Sequence, residues 1–265
     1  MTIGISGSGG KWEDNSHHKC WRVIDAWLPT AENQHSKHNI INLDLFSGTP
    51  YGQVDIVPCN KDYSSYKALT LLGWNTYEEG FAAKIYDYVA NGGTAFVSYC
   101  HFNTTDRCDL PKVYAKTAEV TKLLGNFEAC IANAADEDYT VLTATLPDAE
   151  VIFTDSKGQP LVWKKAIGKG TLYFGTFADY QCPAKKKAVM ESVMHLMGQQ
   201  TADIRCDNPN VFFTQRVQED GSVTVDALNV SSNGTQPEPY TLTLADGRTF
   251  SGTVAPCCIQ KTTIA

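Results

Sequence analysis

The sequence predicts an α/β domain with a mostly parallel sheet, followed by a small antiparallel β-sandwich. Three observations predict this fold class. Residues 66–99 read as strand, helix and strand, the helical spacing of apolar residues stops after Gly198, and hydrophobic residues outnumber charged ones by 43% to 19% of the 265-residue chain. The composition allows a sizeable core and excludes a disordered chain. We therefore expect a domain boundary near residue 200.

Little regular structure is expected before residue 39. Residues 1–16 are rich in Gly, Ser and charged residues and are predicted to be poorly anchored, while 20–28 favour a short helix that Pro29 stops. Short strands are predicted at 40–46 and 53–57. The predicted organisation is an N-terminal segment at 1–38, partly irregular, an α/β domain at 39–200 and a β-sandwich domain at 201–265.

The clearest unit is a strand, a helix and a second strand. The nearly continuous apolar run at 67–72 is typical of a strand that is covered on both faces. Thr76, with Glu79 three residues later, predicts the capped start of an amphipathic helix, and the glycine pair at 92–93 predicts its end. Residues 94–99 read as the second strand, so the two strands should be parallel neighbours.

The alternation of strands and helices continues to Gly198. A helix is predicted at 113–124, with Gly125 as its stop, and a last helix opens at Pro183 and is predicted to end at Gly198. Four strands are predicted between these helices, at 139–145, 151–154, 161–165 and 170–177.

After Gly198 the chain reads as β structure without helical periodicity. Five short strands are predicted, at 211–217, 222–228, 240–244, 249–254 and 259–263. Turn pairs typical of hairpins separate them: Asp220-Gly221, Asn233-Gly234 and Asp246-Gly247. A β region of about 65 residues buries little surface by itself, so we expect it to pack on the larger domain.

Charge and cysteine usage limit the partners and the compartment. Lys and Arg number 22 against 29 Asp and Glu, and the net charge of −7 argues against nucleic acid or an anionic membrane as the main partner. No apolar run is long enough for a membrane span, and the start of the chain lacks the features of a secretory signal. Nine cysteines without a C-x-x-C pattern favour reduced, buried thiols, Cys257-Cys258 included, and hence a cytoplasmic protein.

Residues 66–99 also follow a recognisable order: a strand, a loop, a Glu-rich helix start, Tyr88-Val89, Gly92-Gly93 and an apolar strand. This order resembles the glutamine-amidotransferase-like α/β domain that lies behind the barrel in family 42 glycoside hydrolases, the β-galactosidase type. Further stretches that resemble those enzymes are 117–125, 168–173, 223–229 and Ala255-Pro256. The resemblance covers roughly residues 50–265.

The resemblance implies a class I glutamine-amidotransferase-like (flavodoxin-like) doubly wound sheet ahead of the small antiparallel β-sandwich. In those hydrolases the catalytic acid and nucleophile lie in the barrel, which needs about 250 residues of its own. The resemblance therefore implies a non-catalytic accessory or oligomerisation portion of a carbohydrate-active glycoside hydrolase, which helps assembly or walls a sugar site. The partners that it implies are a catalytic barrel domain or subunit, a carbohydrate and further copies of the chain in a homo-oligomer.

Cys100-His101 supports an alternative, a stand-alone Cys-dependent amidase or hydrolase. The pair follows the strand at 94–99, where related cysteine hydrolases carry their nucleophile, and a helix N-terminus can stabilise a thiolate at such a turn. Phe102 argues against this hypothesis, because a nucleophile elbow needs small neighbours. The competing interpretation is a buried structural Cys100 beside a surface His101.

Trp74 and Asn75 support a third hypothesis, a carbohydrate-binding module. They follow a predicted parallel strand, at the carboxyl edge where ligands bind in doubly wound sheets. Together with Tyr99 and Trp163 they would offer a surface on which a sugar could stack. The competing interpretation is a core tryptophan and an asparagine at the entry of the helix.

No cofactor and no metal are expected. Five possible ligands in the N-terminal segment lack the tight paired spacing of zinc sites: His17, His18, Cys20, His35 and His38. The stretch from Gly4 to Lys11 misses the phosphate-loop pattern and is not expected to follow a strand. No pair of carboxylates stands out as an acid and base couple.

Overall fold

The computed structural model describes residues 2–4, 51–53, 55–57, 60–71, 80–102, 117–125, 128–133, 140–177, 184–208, 210–230 and 235–264. These residues form two compact units. The unit that we call the sheet unit takes its described residues from 2–4 and 56–197, and the C-terminal unit takes them from 51–55 and 198–264. The domain limits inferred from the sequence stay a prediction.

A seven-stranded sheet forms the centre of the sheet unit. Its strands lie in the order β2-β1-β3-β4-β9-β8-β7. The strands β5 and β6 form a separate two-stranded sheet. The nine strands of the two sheets are β1 (Thr2–Gly4), β2 (Asp55–Ile56), β3 (Ala68–Leu71), β4 (Thr94–Ser98), β5 (Glu128–Asn133), β6 (Thr140–Thr145), β7 (Ala149–Thr154), β8 (Pro160–Ile167) and β9 (Gly170–Gly175).

The central sheet is mixed. β1, β3, β4 and β9 run parallel to one another in that order, whereas β8 is antiparallel to both β9 and β7. Only Gly168 and Lys169 separate β8 from β9, and such a short link joins antiparallel strands because a parallel pair needs a long crossover. The expectation of a mostly parallel sheet therefore holds for its central part and not for this edge.

The βαβ unit predicted near the centre is confirmed. Helix α1 (Phe81–Ala90) connects the parallel neighbours β3 and β4, and it buries the apolar face that its sequence spacing predicts. The helix begins at Phe81 and not after Thr76. Gly80 is the N-cap, and its φ of 87° lies in the left-handed region, where a helix cannot continue. Thr76 itself lies outside the described residues.

Three of the described strands were not predicted from the sequence, and the most important of them is β1. Thr2–Gly4 pairs in parallel with β3, so the expectation of a poorly anchored start is wrong for these residues. The glycine-rich stretch after Gly4 does follow a strand, contrary to expectation, although that stretch lies outside the described residues. β5 and, in the C-terminal unit, the three-residue strand Ile204–Cys206 are the other two.

Two further helices have described residues, α2 (Thr117–Leu124) and α3 (Ala184–Thr201). The prediction that Gly198 ends the last helix is wrong, because α3 continues to Thr201. A Cβ atom at Gly198 would collide with the ring of Tyr51. The glycine is needed for this close approach and not for a helix end.

The C-terminal unit contains two three-stranded antiparallel sheets, β10-β13-β14 and β11-β12-β15. Their inward side chains form one hydrophobic cluster in which Phe213 is only 1% exposed. The hairpin turns predicted at Asp220-Gly221 and Asp246-Gly247 are confirmed, and both glycines have positive φ. The strands are β10 (Ile204–Cys206), β11 (Val211–Val217), β12 (Val223–Asn229), β13 (Glu238–Leu244), β14 (Thr249–Val254) and β15 (Ile259–Ile264).

Candidate functional site

The turn after β4 carries Cys100 and His101, at the carboxyl end of a central parallel strand as predicted. Residues Tyr99–Phe102 form a single turn of 3-10 helix directly after Ser98. The backbone N–H of Ser98 donates a hydrogen bond to Nδ1 of His101 at 2.9 Å. His101 is completely buried, so the expectation of a surface histidine is wrong. Nothing is described of the Cys100 side chain, and the reactivity of this thiol stays a hypothesis.

The hydrogen bond from Ser98 determines what His101 can do chemically. Because the lone pair of Nδ1 accepts this bond, a neutral imidazole carries its proton on Nε2. A general base needs a lone pair that can reach the proton it removes. In this arrangement His101 orders its own turn and presents no basic nitrogen to a substrate.

The turn is also closely packed. Phe102 is completely buried and its ring lies 6.0 Å from that of Phe81 in α1. On the adjacent strand, a Cβ atom at Gly175 would lie 2.7 Å from Oγ of Ser98. A large buried side chain two residues after Cys100 and a close contact at Ser98 two residues before it thus flank this position, where a nucleophile elbow requires small residues.

Among the residues whose side-chain burial the structure describes, Asp155 is the one buried carboxylate. Its Oδ1 accepts hydrogen bonds from the backbone N–H groups of Lys157 at 2.9 Å and Gln159 at 2.8 Å, within the turn between β7 and β8. This carboxylate therefore stabilises a turn. Most glycoside hydrolases need two carboxyl groups flanking the bond that is cleaved, and the described residues bring no buried pair together.

The proposed sugar-stacking residues have different fates. Trp74 and Asn75 lie outside the described residues, so their role stays a prediction. Tyr99 is buried in the core of the sheet unit, and Trp163 is half-buried against the same core. These last two rings contribute to packing and do not form an exposed platform.

The described cysteines do not all follow the expectation of buried thiols. Cys206 is buried, and desolvation raises the pKa of its thiol to about 11. Cys257 and Cys258 are exposed, so the prediction that they pack inside is wrong. They lie in the link between β14 and β15, where Cys257 adopts a φ of 56°. The five N-terminal His and Cys residues lie outside the described chain, and the described residues hold no group of three or more metal-ligating side chains.

A cavity that the sequence analysis missed lies at the other edge of the sheet, where β3 and β4 begin. It has a volume of about 540 Å³ and is lined by residues 62–64, 66 and 67, by Lys84, Asp87 and Tyr88 of α1 and by residues 91–93 in the link to β4. Three tyrosines, at 63, 66 and 88, with nearby Asp and Asn side chains were the available signal. Because Tyr88 lies more than 20 residues after Tyr63 and Tyr66, the sequence alone did not indicate that the three rings meet at one cavity.

No protein-family model matches the chain. Two curated relatives do: β-galactosidase LacA of Lactobacillus acidophilus and β-galactosidase LacZ of Lactobacillus acidophilus strain NCFM. Each is 26% identical to this chain over 207 residues, which covers 71% of this chain and 30% of the relative. The chain thus matches less than a third of the length of these β-galactosidases.

Solved structures with a similar fold cover nearly the whole chain. The β-galactosidase from Bacillus circulans sp. alkalophilus has a TM-score of 0.57 at 15% identity, covering 100% of this chain and 41% of that one. A catalytic mutant of Gan42B, a GH42 β-galactosidase from G. stearothermophilus, has a TM-score of 0.58 at 14% identity, and the match covers 99% of this chain and 40% of that one. The α-L-fucosidase isoenzyme 2 from Paenibacillus thiaminolyticus has a TM-score of 0.56 at 13% identity, and the match covers 99% of this chain and 48% of that one. At this identity the likeness shows the fold alone. No helix in the described ranges is long and apolar enough to cross a membrane.

Proposed function

We propose that this chain is a non-catalytic portion of a β-galactosidase-like glycoside hydrolase and assembles with a catalytic barrel domain or subunit. One observation carries the proposal: the sequence match to two β-galactosidases spans 71% of this chain and only 30% of theirs. Most of the length of those enzymes, and room for a barrel of about 250 residues, therefore lies outside the match.

The chemistry of the described residues supports a non-catalytic role. The buried carboxylate of Asp155 accepts backbone hydrogen bonds within its own turn, and His101 accepts a backbone hydrogen bond at Nδ1. Neither side chain is arranged as the acid, base or nucleophile of a hydrolase. Both instead stabilise connections at the ends of strands.

The finer fold assignment forms part of the same proposal. The parallel order β1-β3-β4-β9, with α1 in the crossover, supports a glutamine-amidotransferase-like, doubly wound sheet unit. The single cluster shared by the two antiparallel sheets supports a β-sandwich for the C-terminal unit.

The isolated chain should hydrolyse neither a galactoside nor an amide. We expect the purified protein to release p-nitrophenol from p-nitrophenyl β-galactoside, and p-nitroaniline from a panel of acyl p-nitroanilides, at the rate of buffer alone. The Cys100→Ser variant should give the same rates, since Cys100 has no catalytic role in this proposal. The measurement is absorbance against time at several protein concentrations.

Cys257→Ser is the matched control, because its thiol is exposed and belongs to the C-terminal unit. Amide hydrolysis that scales with protein concentration, disappears in Cys100→Ser and persists in Cys257→Ser would establish the cysteine hydrolase and overturn the proposal.

A further inference from the structure

The cavity at the amino ends of β3 and β4 is lined by three aromatic side chains, Tyr63, Tyr66 and Tyr88. Tyr63 and Tyr88 are 5% and 8% exposed, and their rings meet edge to face with centroids 6.1 Å apart. The hydroxyl of Tyr88 donates to the backbone oxygen of Tyr66 at 3.0 Å, which ties α1 to the loop before β3. Tyr66 is half-buried, so its ring is the part of the aromatic surface that a ligand can reach.

Two of the charged side chains that line the cavity, Lys84 and Asp62, form hydrogen bonds with neighbouring residues. Nζ of Lys84 donates to the backbone oxygen of Lys61 at 2.6 Å and lies 4.0 Å from the ring centroid of Tyr63. Asp62 accepts hydrogen bonds from the hydroxyl and the backbone N–H of Ser64, at 2.7 and 3.0 Å. These bonds lower the pKa of Asp62 below its ordinary value.

The formal charge of the lining is balanced. The lining includes two carboxylates, Asp62 and Asp87, and two ammonium groups, Lys67 and Lys84. A balanced lining attracts neither an anion such as phosphate nor a metal cation by net charge. The backbone carbonyls at the end of α1 accept hydrogen bonds from the N–H groups of residues 91–93, so the helix end does not need a cation either.

This combination suits a neutral polyhydroxylated ring. Sugar hydroxyls both donate and accept hydrogen bonds, which matches a lining of carboxylates, ammonium groups and the side-chain amide of Asn91. One donor of that amide is already used, because Nδ2 of Asn91 donates to the backbone oxygen of Asp87 at 2.8 Å. The apolar face of a pyranose can pack on the ring of Tyr66 as other apolar groups pack on aromatic side chains. A volume of about 540 Å³ lies within the range of small-molecule sites.

We propose that the cavity between residues 62–67 and α1 binds a neutral monosaccharide. The site lies at the sheet edge opposite Cys100, and it uses neither Trp74 nor Asn75. It does not depend on assembly with a catalytic partner, because every lining residue belongs to the sheet unit.

Titration of the purified chain with D-galactose and, separately, D-glucose tests the site. Binding measured by calorimetry should give a dissociation constant on the order of 1–10 mM for one of the two sugars, as expected for a small ligand in an open site. Tyr66→Leu keeps apolar volume but removes the flat ring, and Asn91→Ala removes the amide. Each should weaken binding at least about fivefold, with the melting temperature used to confirm folding.

Tyr86→Ala is the matched control, since Tyr86 lies on the same helix, is 42% exposed and does not line the cavity. It should bind the sugar as the unmodified chain does. The proposal is overturned if neither sugar binds, if folded Tyr66→Leu and Asn91→Ala both retain full affinity, or if Tyr86→Ala weakens binding equally. Absence of sugar binding would leave the proposed assembly with a catalytic partner unaffected.

Discussion

Substituting Gly170 by alanine should destabilise the sheet unit by about 3 kcal/mol or more, the size of a severe overpacking defect. Gly170 begins β9 beside the end of α1, and a Cβ atom there would collide with the backbone oxygens of Val89 and Gly93. Backbone atoms cannot rotate away as a flexible side chain can. The next residue, Thr171, donates its N–H to Gly93 at 3.2 Å, so any shift also strains the β4–β9 pairing.

The measurement for Gly170→Ala is urea unfolding followed by circular dichroism. Gly158→Ala is the control, because Gly158 has a φ of 82° but nothing within 4 Å of the added Cβ. That variant should lose only about 1–2 kcal/mol, the cost of the left-handed conformation. Equal losses for the two variants would mean that the close approach of β9 to the end of α1 is wrong.

Truncating Phe213 to alanine should have a comparable effect on the C-terminal unit, a loss of about 3–5 kcal/mol. Phe213 is 1% exposed within the cluster that the two antiparallel sheets share. Its ring also lies against Gly52, where an added Cβ atom would be 3.1 Å from Cε2 of Phe213. A small β unit has little core to spare, so the cavity left by the ring should reduce its stability sharply.

Thermal and urea unfolding of Phe213→Ala should be compared with Val217→Ala in the same strand. Val217 is 75% exposed, and its truncation should change the free energy of unfolding by no more than about 0.5 kcal/mol. Phe213→Leu should fall between them, since it retains part of the buried volume. A neutral Phe213→Ala would contradict a shared core for β10-β13-β14 and β11-β12-β15.

Local rules predicted much of this fold from sequence. Gly221 and Gly247 sit in hairpin turns at φ 83° and 87°, as the Asp-Gly pairs indicate. The apolar spacing of α1 predicts its buried face. The predictions that failed concern structure that depends on contacts between residues distant in sequence. Gly198 is required because the ring of Tyr51 packs against it, and the three-residue β1 forms because it pairs with β3.

The candidate sites show the same limit. The position of Cys100 after β4 follows from strand order, which local sequence predicts. His101 is buried and accepts a backbone hydrogen bond from Ser98, and no spacing rule indicates either feature. The cavity joins Tyr63 and Tyr66 to Tyr88 across β3 and α1, so only the folded arrangement brings its residues together.

The most direct test of the proposed role is reconstitution of a β-galactosidase. The Lactobacillus acidophilus β-galactosidase LacA is expressed without the stretch that matches this chain, and galactosidase activity and sedimentation are measured with and without the purified chain. We predict that the truncated enzyme alone is impaired and that added chain forms a complex and raises its activity at least about tenfold. Unchanged activity and sedimentation across a concentration series of the chain, up to a roughly tenfold molar excess over the truncated enzyme, would contradict the proposal, because complex formation depends on the free concentration of the chain.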